Sequence, residues 1–251
     1  MRRSCFGPWL FQLSFIVALF ILWYLATTQW NVAAILLPNP LRVWNQLALI
    51  AKTGAFIHPL FVTLYEVVVA FVIASTTGLS IGYGVGRSAY AIRVFDPLFT
   101  SIYAVPVILF VPLYSLLFGL GSASKIALGV TISFFPIALN TMAGFSATDK
   151  VLIKAARSFG ASPFHQFRYV LLPSAFPTVL AGLRMGMILA FLAVLGSETL
   201  ASFAGLGHKI VQYSETMETA RMYAYIIIVV ALAGLLNFIL SGVEKWGRRR
   251  D

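Results

Sequence analysis

The sequence predicts an all-α membrane protein with six transmembrane helices. Two observations of composition carry this prediction: 60% of the 251 residues are hydrophobic and only 10% are charged. Soluble globular chains carry roughly 25% charged residues, so a water-soluble fold is excluded. The third observation is that the apolar residues form long stretches, suited to the roughly 20 residues that cross a bilayer. These stretches cover residues 9–27, 59–86, 97–118, 125–146, 178–200 and 222–243.

Each stretch is expected to be a helix, because backbone in lipid must satisfy its own hydrogen bonds. The strand alternation of an outer-membrane barrel is absent from the sequence. The first stretch follows Arg2 and Arg3 and is long for a signal peptide, so an uncleaved first span is favoured. The single cysteine, Cys5, excludes an internal disulfide and a cysteine-based metal cluster.

The segment between the first two spans predicts an amphipathic surface helix. Pro38 and Pro40 interrupt the chain, and Val43, Leu47 and Ile50 then recur near helical spacing. This pattern is typical of a helix that lies in the membrane interface.

The basic residues indicate the orientation in the membrane. The formal net charge is +10, but the basic residues lie between apolar runs and do not form the polar face of a nucleic-acid-binding protein. With six spans, one side receives Arg2, Arg3, Arg87, Arg93, Lys150, Lys154, Arg157, Arg168, Lys245, Arg248, Arg249 and Arg250, and the other receives Arg42, Lys52, Lys125, Lys209 and Arg221. The richer side is cytoplasmic by the positive-inside rule, which places both termini and the 147–177 loop there.

Two stripes of small residues indicate close helix packing. Small side chains at every fourth position let another helix approach closely, although the sequence does not say which helix. The stripes are Ala70, Ala74, Gly78, Gly82 and Gly86 in the second span and Gly182, Gly186 and Ala190 in the fifth.

The 147–177 loop is predicted to contain two short helices. The first covers Val151 to Phe159 and ends at Gly160 and Ala161. Ser162 is a suitable N-cap and Pro163 a suitable first position for the second helix, which is expected to end at Leu172 and Pro173.

The second loop helix has one apolar face. Phe164, Phe167 and Leu171 fall at positions i, i+3 and i+7, which places them on one side. This face either folds back on the transmembrane bundle or fits a groove in a partner protein.

The same loop resembles the EAA loop of the membrane subunits of bacterial ABC importers. The resemblance rests on the identity and spacing of Lys154, Ala155, Ala156, Gly160, Val170, Leu172 and Pro173. Lys154 stands where the family usually has Glu, and Val170 where it usually has Ile.

Further segments resemble the permeases of nitrate, sulfonate, taurine and thiamine-precursor importers. This similarity extends from about Leu37 to Leu240. It includes Leu37-Pro38-Asn39-Pro40, Phe118-Gly119-Leu120-Gly121, Ser124-Lys125, Phe135-Pro136, Asn140-Thr141, Gly182-Leu183-Arg184 and Gly205-Leu206-Gly207.

The resemblance implies a single permease domain over residues 1–251, of the type I ABC importer kind, in the bacterial inner membrane. Its partners would be two copies of an ATPase subunit, a second copy of this permease and an extracytoplasmic solute-binding protein. The coupling residues would be Lys154, Ala155, Ala156, Gly160, Ala161, Ser162, Phe164, Phe167, Leu172 and Pro173. ATP and Mg would be bound by the ATPase subunit, and this chain has no G-x-x-x-x-G-K-[ST] motif.

Candidate residues for the solute path lie in the third to fifth spans. Pro106 and other prolines interrupt the third and fourth spans, as is tolerated where helices bend around a cavity, and Ser133 and Asn140 offer neutral polar contacts. Arg184 either pairs structurally or lines the path of an anionic solute. Glu198 either holds the 197–208 segment to the bundle or binds solute, and Glu66 is expected to make a structural hydrogen bond.

Two other functions compete with an ABC importer permease. A secondary transporter driven by an ion gradient needs a relay of buried acids. Glu66 and Glu198 are the acids considered for such a relay, and two residues are few for this purpose. An intramembrane enzyme is disfavoured, because no nucleophile–base pair or metal-ligand set occurs in the spans.

Overall fold

Eleven α-helices occur in the part of the chain that the structure, a computed structural model, describes, namely residues 6–30 and 32–248. Arg2, Arg3, Cys5, Arg249 and Arg250 lie outside this part. No strand occurs in the described ranges, which confirms the all-α prediction. In chain order the helices are α1 (Phe6–Thr28), α2 (Pro40–Thr53), α3 (Ile57–Gly86), α4 (Ala89–Tyr103), α5 (Val111–Phe118), α6 (Ser122–Ser146), α7 (Lys150–Ser158), α8 (Pro163–Gln166), α9 (Leu172–Leu200), α10 (Leu206–Glu215) and α11 (Thr219–Arg248).

Four of the described helical segments are long and apolar enough to cross a membrane. They are Ile57–Gly86, Ser122–Ser146, Pro163–Leu200 and Thr219–Gly242, and α4 with α5 makes a fifth if that bent pair is one span. In the first span, Leu13–Thr28 is a shorter apolar helix. A multi-pass membrane fold is thus present, and the count of six spans stays a prediction.

The predicted third span, 97–118, is not one straight helix. Helix α4 ends at Tyr103, a 3₁₀ turn covers Val107–Phe110, and α5 begins at Val111. The two apolar segments are bent by 66°. Pro106 precedes the turn and Pro112 lies in the first turn of α5, and proline supplies no backbone N–H. Pro136, in contrast, lies inside the continuous helix α6.

The chain divides into two compact units. The first comprises residues 1–57 and 209–229, and the second comprises residues 58–208 and 230–251. The single permease domain expected over the whole chain stays a prediction.

The first unit contains the predicted amphipathic helix, α2. Asn39 caps it by accepting a hydrogen bond from the Leu41 N–H at 2.9 Å, and the chain leaves it through Gly54, whose φ of 67° is in the left-handed region. Val43 and Ile50 are buried and Trp44 is exposed. The predicted face therefore packs inward within this unit.

In the second unit both small-residue stripes pack against α6. A Cβ atom on Gly82 of α3 would lie 2.6 Å from the Ala138 carbonyl oxygen, and one on Gly186 of α9 would lie 2.5 Å from Ile137. Such distances are shorter than van der Waals contact, so only glycine permits these approaches. Helix α6 therefore packs closely against both α3 and α9, because glycines on these two helices leave room for it.

Candidate functional site

The loop between α6 and α9 contains the two predicted short helices. Asp149 caps α7 by accepting a hydrogen bond from the Val151 N–H at 2.8 Å. The helix ends at Ser158, and Gly160 follows with φ 73°. A residue with a Cβ is strained at this φ, which explains why glycine ends the first loop helix.

The predicted cap of the second loop helix is confirmed. The Ser162 hydroxyl accepts a hydrogen bond from the His165 N–H at 3.3 Å and lies 2.6 Å from His165 Nδ1. Pro163 occupies the first turn, where its missing N–H is not needed. Ser162 and Pro163 thus fix the position at which the chain re-enters a helix.

The predicted end of this helix at Leu172 and Pro173 is wrong. A π-helical turn over Phe167–Leu171 joins α8 to α9, and the Leu172 N–H bonds to the Phe167 carbonyl five residues back. The helical chain therefore continues from Pro163 to Leu200, over 38 residues, about 57 Å at 1.5 Å per residue. Pro173 lies in the first turn of α9, directly after the π-helical turn.

The apolar face of the second loop helix is partly packed against the bundle and partly exposed. The Phe167 ring lies 5.1 Å from that of Tyr83 and 6.2 Å from that of Phe145, and Leu171 packs against the same buried cluster. Phe164, which the spacing placed on this face, is 64% exposed. One part of the face therefore folds back on the bundle, and another part stays open.

An exposed apolar surface covers the outside of the loop. We call it the loop surface and define it by its large exposed side chains, Val151, Leu152, Phe159, Phe164 and Tyr169, of which Phe159 is 90% exposed. Several large apolar side chains exposed on one loop make this surface a candidate interaction site.

Two shallow cavities of about 410 and 630 Å³ lie beside the loop surface. Ala156, Tyr169 and Val170 line both of them. Among the other predicted coupling residues, Lys154, Ala155, Gly160, Ser162, Leu172 and Pro173 are exposed and Ala161 is half-buried. The loop is therefore a preformed, largely open surface.

Two of the predicted path residues, Ser133 and Asn140, donate hydrogen bonds to backbone carbonyls of their own helix, α6. Ser133 is fully buried and donates to the Gly129 carbonyl at 2.6 Å. The Asn140 amide donates to the Pro136 carbonyl at 2.8 Å. Pro106 is exposed and precedes the 3₁₀ turn.

Arg184 lies in the interior of α9, half-buried, and is paired across to α11. Its Nη2 donates to Asn237 Oδ1 at 2.9 Å. Asn237 was not predicted as a functional residue. The signal that could have found it is its position as a lone amide in the otherwise apolar stretch 222–243.

Glu198 is buried at the end of α9 and holds three segments together. It accepts hydrogen bonds from the Thr63 hydroxyl at 2.6 Å and from the Gly207 N–H at 2.7 Å. The Leu206 N–H in turn donates to the Thr63 hydroxyl at 2.9 Å. A side chain on Gly205 would collide with the Glu198 carboxylate. These contacts attach the 197–208 segment to the bundle, one of the two roles considered for Glu198.

Two further charged residues surround Glu198. Glu66 and Lys125 are 1% and 0% exposed, and both interact electrostatically with Glu198. Lys125 also donates to the Leu120 carbonyl. We call Glu66, Lys125 and Glu198 the buried charge cluster. Lys125 begins the predicted span 125–146 and is enclosed in the first turn of α6, while its place on the non-cytoplasmic side stays a prediction.

This architecture, long apolar helices joined by a two-helix loop with an open apolar surface, is that of a multi-pass membrane protein. The chain belongs to the family of binding-protein-dependent transport system inner membrane components, whose model matches residues 74–250. It is thus an ABC importer permease subunit, and its relatives are transport permeases and not enzymes.

The relatives confirm the predicted branch. The chain is 30% identical to the taurine transport system permease protein TauC of Escherichia coli (strain K12), over 91% of this chain and 85% of that protein. It is 27% identical to the putative aliphatic sulfonates transport permease protein SsuC of Bacillus subtilis (strain 168), over 97% and 88%.

Solved structures of ABC transporters share the fold. An inward-facing conformation of the MetNI methionine ABC transporter matches with a TM-score of 0.62 at 22% identity, over 74% of this chain and 93% of that one. An amino acid ABC transporter matches with a TM-score of 0.62 at 23% identity, over 82% and 98%.

Proposed function

We propose that this permease forms the solute path of an ATP-driven importer and is coupled to a separate ATPase subunit through residues 154–173. The observation that carries the proposal is the loop surface, whose exposed apolar side chains include Phe159 and Phe164. An isolated protein gains nothing by exposing such side chains in water, whereas a partner cleft would remove them from it.

The continuity of α8, the π-helical turn and α9 supports this coupling. The helical chain is continuous from Pro163 to Leu200, so a movement imposed on Phe164 would be transmitted along it. Phe167 and Leu171 meanwhile attach the loop to the cluster that contains Phe145. Closure of the ATPase subunits would therefore tilt α9 and change access to the path.

Ala156→Asp tests the proposed coupling. Ala156 lines both cavities beside the loop surface, and a carboxylate there would be desolvated by a docked partner, at a cost of several kcal/mol. We expect the variant to reach the membrane in normal amounts, to retain less than about a tenth of the copurifying ATPase, and to lose ATP-driven uptake.

Ala51→Asp is the control for a new surface carboxylate, because Ala51 is exposed and lies on α2 instead of the loop, whereas Ala156 is half-buried. It should retain the ATPase subunit fully. Gly160→Val adds a second variant, since a β-branched residue is strained at φ 73° while its side chain would meet no neighbouring atom within 4 Å. Normal uptake and normal ATPase retention in both loop variants would exclude coupling through this loop.

The complete importer in this proposal contains two such permease copies, two ATPase subunits and an extracytoplasmic binding protein. Both termini and the loop surface face the cytoplasm of a bacterial inner membrane, in accordance with the charge distribution. ATP and Mg belong to the ATPase subunit. The whole chain acts as one permease domain.

The solute is proposed to be a small anion such as a sulfonate or a carboxylate. The names of the relatives, taurine and aliphatic sulfonate permeases, support a solute that carries a sulfonate group. Arg184 also supports an anionic solute. Ionisable residues within membrane spans often line a solute pathway, and a guanidinium there would attract an anion. Pro106, Ser133, Asn140 and Glu198 are the other residues assigned to the path or its walls.

A further inference from the structure

A cavity of about 600 Å³ lies where α3 and α6 end and the loop between α6 and α9 begins. Its lining includes Gly86 and Arg87 at the end of α3 and Ser146 and Thr148 at the end of α6, and all of its residues belong to the second unit. Helix α6 has 25 residues, about 38 Å at 1.5 Å per residue. That length exceeds a hydrocarbon core of about 30 Å but not a bilayer of about 40–45 Å with its headgroups. The cavity is therefore expected at the level of the lipid headgroups.

Three basic side chains line this cavity, and we call it the basic cavity. Arg87 directly follows α3, and Lys150 and Arg157 belong to α7. Lys150, Ile153 and Arg157 fall at positions i, i+3 and i+7, so they share one face of α7, and all three line the cavity. The end of α3 and one face of α7 thus direct positive charge to the same place.

Two of the three basic side chains are held in position by uncharged neighbours. The Arg87 guanidinium lies over the Tyr83 ring, 5.3 Å from its centre. Arg157 Nε donates to Gln166 Oε1 at 3.4 Å. Tyr83 and Gln166 also line the cavity. These contacts orient the guanidinium groups without neutralising them.

Within the described residues, the protein supplies no counter-ion for this charge. Arg87, Lys150 and Arg157 make no ion pair there, and no carboxylate lines the cavity. Asp149 is next to Lys150 in the chain, but its carboxylate accepts the Val151 N–H as the cap of α7. Basic residues that only set the orientation of a membrane protein need no shared cavity. Their convergence here indicates an anionic ligand.

Thr148 is a second, independent indication of a ligand. It lines the cavity and is 5% exposed, and its buried hydroxyl has no hydrogen-bond partner among the described residues. A buried donor without a partner is costly. Rotation of this side chain about its Cα–Cβ bond would let the hydroxyl donate to an anionic oxygen in the cavity.

The remaining walls indicate which kind of anion fits. Phe145, Ile153 and Leu171 contribute apolar surface to the same cavity. A free inorganic anion would use the basic side chains and leave this surface in water. An amphiphilic anion would use both, and the volume lies within the range of about 300–1,000 Å³ that is usual for organic ligands.

We propose that the basic cavity binds the headgroup of an anionic phospholipid. Its phosphate would lie among Arg87, Lys150 and Arg157, and its glycerol backbone against the apolar wall. Basic pockets at the ends of membrane helices are suited to such headgroups. The bound phosphate would link the end of α3 to α7 and so fix the loop to the bundle. This inference goes beyond the proposed function, because it depends neither on the solute nor on the ATPase subunit.

Native mass spectrometry of the delipidated permease–ATPase complex tests the inference. The probes are phosphatidylglycerol and phosphatidylcholine with identical acyl chains, added separately. We expect phosphatidylglycerol to occupy the permease at concentrations where phosphatidylcholine does not. Arg87→Gln and Lys150→Gln should each weaken its binding about fivefold, the effect of one basic residue near a membrane surface. Ala89→Trp should abolish binding with all charges retained, because Ala89 is exposed and lines the cavity.

Arg168→Gln is the matched control for loss of a positive charge. Arg168 is exposed in the same loop but does not line the cavity, so its variant should bind phosphatidylglycerol like the unaltered protein. Monodisperse elution and an unchanged melting temperature show that each variant is folded.

Three results would overturn the inference. The first is equal binding of the two lipids, or normal phosphatidylglycerol binding in the Arg87, Lys150 and Ala89 variants. The second is full displacement of the lipid by inorganic phosphate at constant ionic strength, which would make the cavity a site for a free anion. The third is loss of the ATPase subunit from these variants with lipid binding unchanged, which would assign the cavity to an acidic segment of that subunit.

Discussion

The environment of Lys125 in the structure differs from the one that its place in the sequence suggests. It stands at the edge of an apolar stretch, where a basic residue normally marks a loop. In the structure it is fully buried and faces Glu66 and Glu198. The two carboxyl groups supply the compensation that a buried ammonium requires, and they come from α3 and α9. No property of the local sequence around Lys125 contains this information.

Lys125→Met is expected to destabilise the protein strongly. The substitution leaves two buried acids without their cation, and removal of one partner from a buried pair costs about 3–5 kcal/mol. The thermal stability of the detergent-solubilised protein, followed by size-exclusion chromatography after heating, measures the effect.

The double variant Lys125→Met with Glu66→Gln should recover part of this loss, because one acid is then neutral and Glu198 keeps its bonds to Thr63 and Gly207. Lys52→Met, at an exposed position on α2, is the control and should change little. Equal stability of the Lys125 and Lys52 variants would show that the buried charge cluster has no stabilising role.

At the level of elements, the sequence revealed the stripes but not their partner. A glycine every fourth residue predicts a close helix contact, and the contact partner of both stripes is α6. Gly78, Gly82 and Gly186 all approach residues 133–141 of that helix. The choice of partner depends on how the helices are arranged in space, which periodicity along one helix does not encode.

Gly82→Ala and Gly84→Ala form a matched pair that tests this packing. A Cβ at Gly82 would lie 2.6 Å from the Ala138 carbonyl oxygen, whereas one at Gly84 would meet nothing within 4 Å. Overpacking costs about 1–3 kcal/mol, and alanine is favoured over glycine in a helix by about 1 kcal/mol. We expect Gly82→Ala to lower the apparent melting temperature and Gly84→Ala to leave it unchanged or raise it. The reverse order would contradict the packing of α3 on α6.

The loop between α6 and α9 was the most predictable element. Gly160, Ser162 and Pro163 act through local rules of helix capping, so they predicted the end of the first loop helix and the start of the second. The end at Pro173 was mispredicted, because the π-helical turn over Phe167–Leu171 carries the chain past the proline. That turn packs Phe167 against Tyr83 and Phe145, a tertiary contact with no local signal.

At the level of the whole molecule, the orientation is the prediction most open to direct test. Cys5 is the single cysteine, so a Cys5→Ser background allows one reporter cysteine at a time. Ser158→Cys, in the loop between α6 and α9, should react with a membrane-impermeant maleimide only in inside-out vesicles. Thr53→Cys, at the end of α2, should react only in right-side-out vesicles. Labelling in the opposite orientations would overturn the assignment of the loop surface to the cytoplasm.

The energy source separates an ABC importer from a gradient-driven transporter. In vesicles that contain the permease, its ATPase subunit and its binding protein, uptake should require internal ATP and persist when ionophores dissipate ion gradients. Uptake that continues without ATP and stops with an ionophore would favour the alternative.

The sequence by itself determined the properties that follow from composition and local periodicity. These are the all-helical membrane fold, the capped loop around Gly160 and the stripes of small residues, since each depends on residues close together in the chain. Only the tertiary structure decided which groups from distant segments meet. It paired Arg184 with Asn237 and enclosed Lys125 between two acids, because the cost of burying charge is met by partners that chain order does not reveal.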